Sequence, residues 1–208
     1  MHSAKPLQIL TSAIIAPNYA TTIVNRYVPK SYCPQDPKEE TKKWLREHHW
    51  NPQDTVALLT AAHIELGTCQ VQEQSTFRLA VWATVGLGNA TRAGKPGPIY
   101  TYCPPGTINL IILIDGNVTL SAMVNAVITA TEAKSATLQD LSIMDRDGHI
   151  ATGTNTDAIA IAVTQQPIGD YVHEYAGVSS PLGQAIGELV YQTVYQTAQK
   201  EIALKKSR

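Results

Sequence analysis

The sequence predicts a mixed α/β (α+β) fold, one domain with a mixed β-sheet and packed helices, and three observations carry that expectation. Residues 108–114 (INLIILI) and 158–163 (AIAIAV) are short, unbroken apolar runs, the pattern of strands buried on both faces. Between them, residues 119–141 (TLSAMVNAVITATEAKSATLQDL) have helical character. No repeat, linker or low-complexity segment divides the 208 residues, so a single domain over 1–208 is expected. A chain of that size buries roughly 70% of its unfolded surface.

Residues 7–16 (LQILTSAIIA) read as a buried strand with Thr11 and Ser12 at its middle, followed by a turn at Pro17 and Asn18. A second β run covers 21–28, and 31–36 is loop. A polar helix is predicted over 37–48, with Pro37 in its first turn and Trp44 and Leu45 on its apolar side. Residues 55–61 (TVALLTA) are a short strand, and 71–85 read as one long β region that alternates from Leu79 onward. The segment GLGNATRAGKPGP that follows holds too much Gly and Pro for regular structure.

On a helical wheel of the 119–141 segment, Leu120, Met123, Val124, Val127, Leu138 and Leu141 form one inward stripe. Thr131 and Lys134 fall on the same stripe, and Glu132 lies towards its edge. Burying an unpaired ammonium is expensive, so Lys134 needs a carboxylate or a wet cavity; alternatively it lays its stem on the core and keeps its head in water. Beyond a DRDG turn at 145–148 comes ATGTNTDAIAIAV. The chain closes on a helix at 182–203, with Leu182, Ile186, Leu189, Val190 and Val194 as its apolar face.

Composition excludes several classes. The formal net charge is −1 and no basic stripe is present, which argues against a nucleic-acid partner. No apolar run approaches the length that spans a bilayer, and Met1 is not followed by a signal-type apolar region. A cytoplasmic protein without a membrane partner is expected. Cys33, Cys69 and Cys103 are few and widely spaced, without CxxC, so neither a disulfide framework nor a protein metal site is expected. The neighbours His48 and His49 project in different directions and suit a solvated helix end better than a metal. His63 and Glu65 are spaced to face one side of an extended segment as an acid/base pair. Gly86, Leu87 and Gly88 lack the third glycine and helix of a dinucleotide-binding turn. Gly86, Gly88, Gly94 and Gly97 let backbone approach a ligand closely, and Arg92 and Lys95 offer that loop two charges for a phosphate or propionate.

At GLGNATRAG, GTINL, the TEAK helix and ATGTNTDAIAIA the sequence resembles the adenosylcobinamide amidohydrolase family. LTSA near the start, VNRYVPKSY, LLTAA and a closing YAGVSSPLG fit the same pattern in order, so the resemblance covers nearly the whole chain. One departure stands after the first Ser-Ala, where Ile14, Ile15, Ala16 and Pro17 replace a Gly-Gly pair frequent in the family. The resemblance implies corrinoid salvage: hydrolysis of the amide that joins the aminopropanol arm to a corrin propionate, giving adenosylcobyric acid. It implies no cofactor of the protein's own, because cobalt arrives inside the corrinoid substrate. The partner implied is adenosylcobinamide or a related corrinoid, and a homo-oligomer is left open.

Amide hydrolysis needs an activated water or nucleophile, donors for the oxyanion and a proton for the leaving amine. The catalytic candidates are Asp157 as general base, Lys134 as its partner or proton donor, and Glu132, Thr154 and Thr156 to complete the constellation. The substrate-binding candidates are Asn89, Arg92, Gly106, Thr107, Asn109 and Gly153. A threonine nucleophile, Thr107 or Thr154, is the covalent alternative. The structural alternative is that Asp157, Thr154 and Thr156 only hydrogen-bond a tight turn, as Asp and Thr commonly do. Trp82, Tyr100 and Tyr102 are expected wall residues of an open apolar cleft for the corrin. At the level of function, a corrinoid- or phosphometabolite-binding module and an enzyme acting on an unrelated amide compete with this expectation.

Overall fold

The computed structural model describes residues 1–95 and 106–207; Gly97, Tyr100, Tyr102 and Cys103 lie outside the described residues. Seven strands form one mixed sheet: β1 (His2–Thr11), β2 (Tyr19–Tyr27), β3 (Thr55–Thr60), β4 (Thr68–Glu73), β5 (Arg78–Val85), β7 (Ile108–Asp115) and β10 (Ala158–Val163), in the order β3-β2-β1-β10-β7-β5-β4. β6 (Ala90–Thr91) pairs with β9 (Gly153–Thr154), and β8 (Asn117–Val118) with β11 (Val172–His173), as two small ribbons. The helices are α1 (Pro37–Glu47), α2 (Leu120–Asp140) and α3 (Pro181–Lys206). Among the described residues no helix is long and apolar enough to cross a membrane.

The two apolar runs become the central parallel pair, with Ala158 opposite Asn109 and Val163 opposite Ile114. Being central, both are covered on two sides, which is why they read as continuous rather than alternating. Ile159, Ile161 and Val163 pack under α2 and α3 with Leu110, Ile112 and Ile114. Ala158, Ala160 and Ala162 face the other way, against Leu7, Ile9, Ile23, Val56 and Leu58. Those small side chains let the sheet curl over itself. β3 is far from β7 in the strand order, yet Asn109 Nδ2 on β7 donates to Leu59 O on β3 (2.9 Å) and to Asn25 Oδ1 on β2 (2.8 Å).

α1 begins where expected: Asp36 caps it by accepting from the N–H groups of Lys38 and Glu39, with Pro37 in the first turn. Leu45 anchors it on Ile15 and Ala57. The inward stripe of α2 differs from the wheel. Leu120 and Val124 are exposed, as are Ile128 and Thr131, whereas Ala122, Met123, Ala126, Ala130, Lys134 and Leu138 are buried. The reason is the neighbour: alanines let α3 approach closely, and Thr129 Cγ2 lies against the position of Gly187. The long β region of 71–85 proves to be a hairpin, β4 antiparallel to β5, closed where Gln74 N donates to Phe77 O (2.9 Å). The glycine-rich segment is not wholly irregular either, since Ala90 and Thr91 form a ladder with Thr154 and Gly153.

Candidate functional site

Asp157 opens β10, and its carboxylate is met from three elements. Lys134 Nζ, from the buried side of α2, donates to Oδ2, and Thr154 N donates to the same oxygen (3.1 Å). Ile108 N, at the start of β7, donates to Oδ1 (3.0 Å), as does the Thr154 hydroxyl. Four donors on two oxygens fill the acceptor positions of an ionised carboxylate. Lys134 therefore has the carboxylate that its inward position demanded, and both side chains are close to fully buried.

Gly153 makes the pair possible. A Cβ there would collide with Asp157 Oδ2 and stand 2.8 Å from Lys134 Nζ. Gly106 has φ +138°, and a Cβ on it would run into the Asn89 side chain; both conditions select glycine. Thr156 Oγ1 donates to Gly106 O (2.8 Å), so the single proton in its contact with Thr107 Oγ1 comes from Thr107. The chain Thr107 → Thr156 → Gly106 C=O ends on a carbonyl, which is no base. A threonine nucleophile at 107 has no proton acceptor along that path.

These groups lie at one side of a cavity of about 670 Å³, whose walls include Gly106, Thr107, Thr156, Asp157, Ser12 and Lys30. The loop between β2 and α1 also lines this cavity, through Lys30, Tyr32 and Cys33. That loop is braced from behind. Glu40 accepts both prongs of the Arg26 guanidinium (2.7 and 2.8 Å) and the Tyr32 hydroxyl, and Arg26 stacks on Trp44. The Arg26 hydrogen bonds hold the Glu40 carboxyl below its usual value, and burial followed by the Glu40 contact raises the Tyr32 phenol.

Of the residues expected from sequence, Lys134, Gly153, Thr154, Thr156, Asp157, Thr107 and Gly106 converge here, with Asn89 packed against Gly106. Asn109 follows directly on β7 but belongs to a buried row with Asn25 and Thr84, beside a second cavity of about 300 Å³ that Trp82 also lines. Its Oδ1 has no partner among the described residues. Glu132 stands apart: it is exposed, because two residues from Lys134 on a helix is the opposite face. Arg92 is spent on structure, donating to Ile150 O (2.7 Å). His63 and Glu65 do meet, at 2.8 Å, on a 3-10 turn (Ile64–Leu66) that does not line the large cavity. Among the described residues no group of three or more His, Cys, Asp or Glu is placed to hold a metal ion.

Sequence reasoning assigned no chemistry to Arg26, Lys30, Tyr32 or Glu40. The signal was VNRYVPKSY, a run with two cations and two tyrosines broken by proline, but nothing local ties it to Glu40.

The sequence as a whole has relatives of known family. Residues 1–206 match the model of the adenosylcobinamide amidohydrolase family. The chain belongs to that family. An adenosylcobinamide amidohydrolase of Methanosarcina mazei is 29% identical over 79% of this chain and 76% of its own length. One from Halobacterium salinarum is 28% identical over 76% of this chain and 65% of its own, and an uncharacterized protein of Methanocaldococcus jannaschii is 29% identical over 64% and 58%. The last two relatives are thus matched over less than two thirds of their lengths. A solved structure from Pyrococcus horikoshii aligns over 63% of this chain and 38% of that one, with a TM-score of 0.30 and 20% identity.

Proposed function

We propose that this family member hydrolyses the amide between the corrin propionate and the aminopropanol arm of adenosylcobinamide, giving adenosylcobyric acid and the free amine. The observation that carries the proposal is the buried Lys134/Asp157 pair set into the wall of a cavity with hydroxyls beside it. Cavities of this size take a drug-sized group. The corrin macrocycle is larger, so in this reading it rests at the mouth and only the arm with its amide enters.

In the proposed route a water displaces one of the four donors on Asp157. Thr154 Oγ1 is the most easily moved, since a hydroxyl turns about one bond. Asp157 takes a proton from that water as its oxygen adds to the amide carbon, and Lys134 holds the charge of the site. Ser12, on the cavity wall with its proton free to give, is the donor for the developing oxyanion. Asp157 then passes the proton to the nitrogen, the C–N bond breaks as the oxyanion closes to a carbonyl, and the carboxylic acid and the amine leave. The route uses no cofactor of the protein's own; the cobalt belongs to the substrate.

One observation favours a second reading. A carboxylate whose acceptor positions are all filled is also what a rigid binding wall would use, and a corrinoid-binding module would need nothing more. Incubating the protein with adenosylcobinamide and separating the products by chromatography distinguishes the two. Appearance of the free acid supports hydrolysis, and binding without acid supports the module. Acid from a different amide alone would redirect the substrate.

A further inference from the structure

Charges around the cavity cancel in pairs, with one exception. Asp157 is neutralised by Lys134, and Glu40, behind Tyr32, is neutralised by Arg26. Lys30 lines the cavity from the loop between β2 and α1, is exposed, and has no ion-pair or hydrogen-bond partner among the described residues. Asp36, the nearest carboxylate along the chain towards α1, is committed to capping that helix. The hydroxyl of Ser12 adds to the same preference. Its oxygen accepts from Ile159 N (3.2 Å), which leaves its proton to give. Among the described residues on the wall Lys30 is the one charged group left unpaired, and Ser12 adds a donor, so the cavity favours a ligand that brings negative charge.

From this we infer that Lys30 is a specificity-determining residue that recognises a phosphate ester carried on the arm of the substrate. The inference rests on the proposed amide hydrolysis, in which the arm and not the ring occupies the cavity. The aminopropanol arm carries one hydroxyl, the one position on it that a phosphate monoester or diester can occupy. With the amide beside Asp157, the rest of the arm lies in a cavity that Lys30 also lines. The Arg26, Glu40 and Tyr32 brace holds the loop of Lys30 in place, so the ammonium meets the arm without the loop having to reorganise.

The test compares two corrinoids, adenosylcobinamide and its ester phosphorylated on the arm hydroxyl, as substrates for the native protein and for Lys30→Gln, Lys30→Glu and Lys30→Arg. The quantity read is the ratio of kcat/KM for the two substrates within each protein, which a loss of fold or of general activity does not move. The native protein should favour the phosphorylated substrate by about tenfold, the size of a hydrogen bond to a charged group. Lys30→Gln should bring the ratio near one, Lys30→Glu should reverse it, and Lys30→Arg should keep it. A ratio that is the same in all four proteins overturns the inference while leaving the hydrolysis standing. If neither corrinoid is hydrolysed, the proposed function fails, and the affinity ratio of the same pair by calorimetry decides Lys30 independently.

Discussion

Two ion pairs flank the same cavity, and they are built differently. Lys134 and Asp157 have side chains only 8% and 12% exposed, and every carboxylate lone pair is met by a donor from α2, β7 or β9. Arg26 and Glu40 are 12% and 34% exposed, held by a two-pronged contact and by the faces of Trp44 and Tyr32. The first pair is locked by two backbone N–H groups and the Thr154 hydroxyl and sits where a glycine alone leaves room. The second is fastened on one side and touches the ligand space only through Tyr32. In the proposed route the inner pair carries the chemistry as well as part of the fold, and the outer pair holds the shape of one wall.

The largest effect should come from breaking the inner pair on one side. Lys134→Met leaves Asp157 buried without its cation, which should cost about 3–5 kcal/mol in denaturant unfolding and abolish turnover. Loss of less than about 1 kcal/mol would mean that the pair is far wetter than its geometry implies. Next is Gly153→Ala, whose methyl meets Asp157 and Lys134 together. It should destabilise by about 1–3 kcal/mol and depress turnover with it.

Thr156→Val removes the donor to Gly106 O and the acceptor for Thr107. About 1 kcal/mol of stability should be lost in denaturant unfolding.

The outer pair should respond less, and mainly in KM. Glu40→Gln should raise KM a few-fold, with about 1 kcal/mol or less of stability. Its pH dependence has a definite sign. Because the Glu40 carboxyl is held low, its contribution is present above the ordinary glutamate range and disappears as pH falls through the depressed folded value. Arg26→Lys loses the fork and should move that acid loss to higher pH. A KM profile that is unmoved on the acid side by Arg26→Lys would contradict the assignment of this pair to the wall.

The same contrast explains what could be read in advance. Lys134 was legible because its own helix made it anomalous, and Asp157 because it opens an apolar strand. Both signals are local. The outer pair was not legible, because Arg26 and Glu40 each look like ordinary surface charge and only the chain path over the edge of the sheet brings them together. Glu132 was placed too near the site by sequence adjacency to Lys134, where two helical positions mean opposite faces. The curl of the sheet escaped for a related reason. Residues 158–163 read only as a buried strand, and nothing in that pattern says that the alanines at 158, 160 and 162 face the side on which β3 reaches Asn109.

The most direct test replaces the Asp157 carboxylate with its amide. Asp157→Asn keeps the shape and most of the hydrogen bonds but cannot take a proton from water. Asp157→Asn should stay folded and still bind adenosylcobinamide, while its rate of acid production falls by about 10²–10⁴-fold. Acid production at close to the native rate would contradict it.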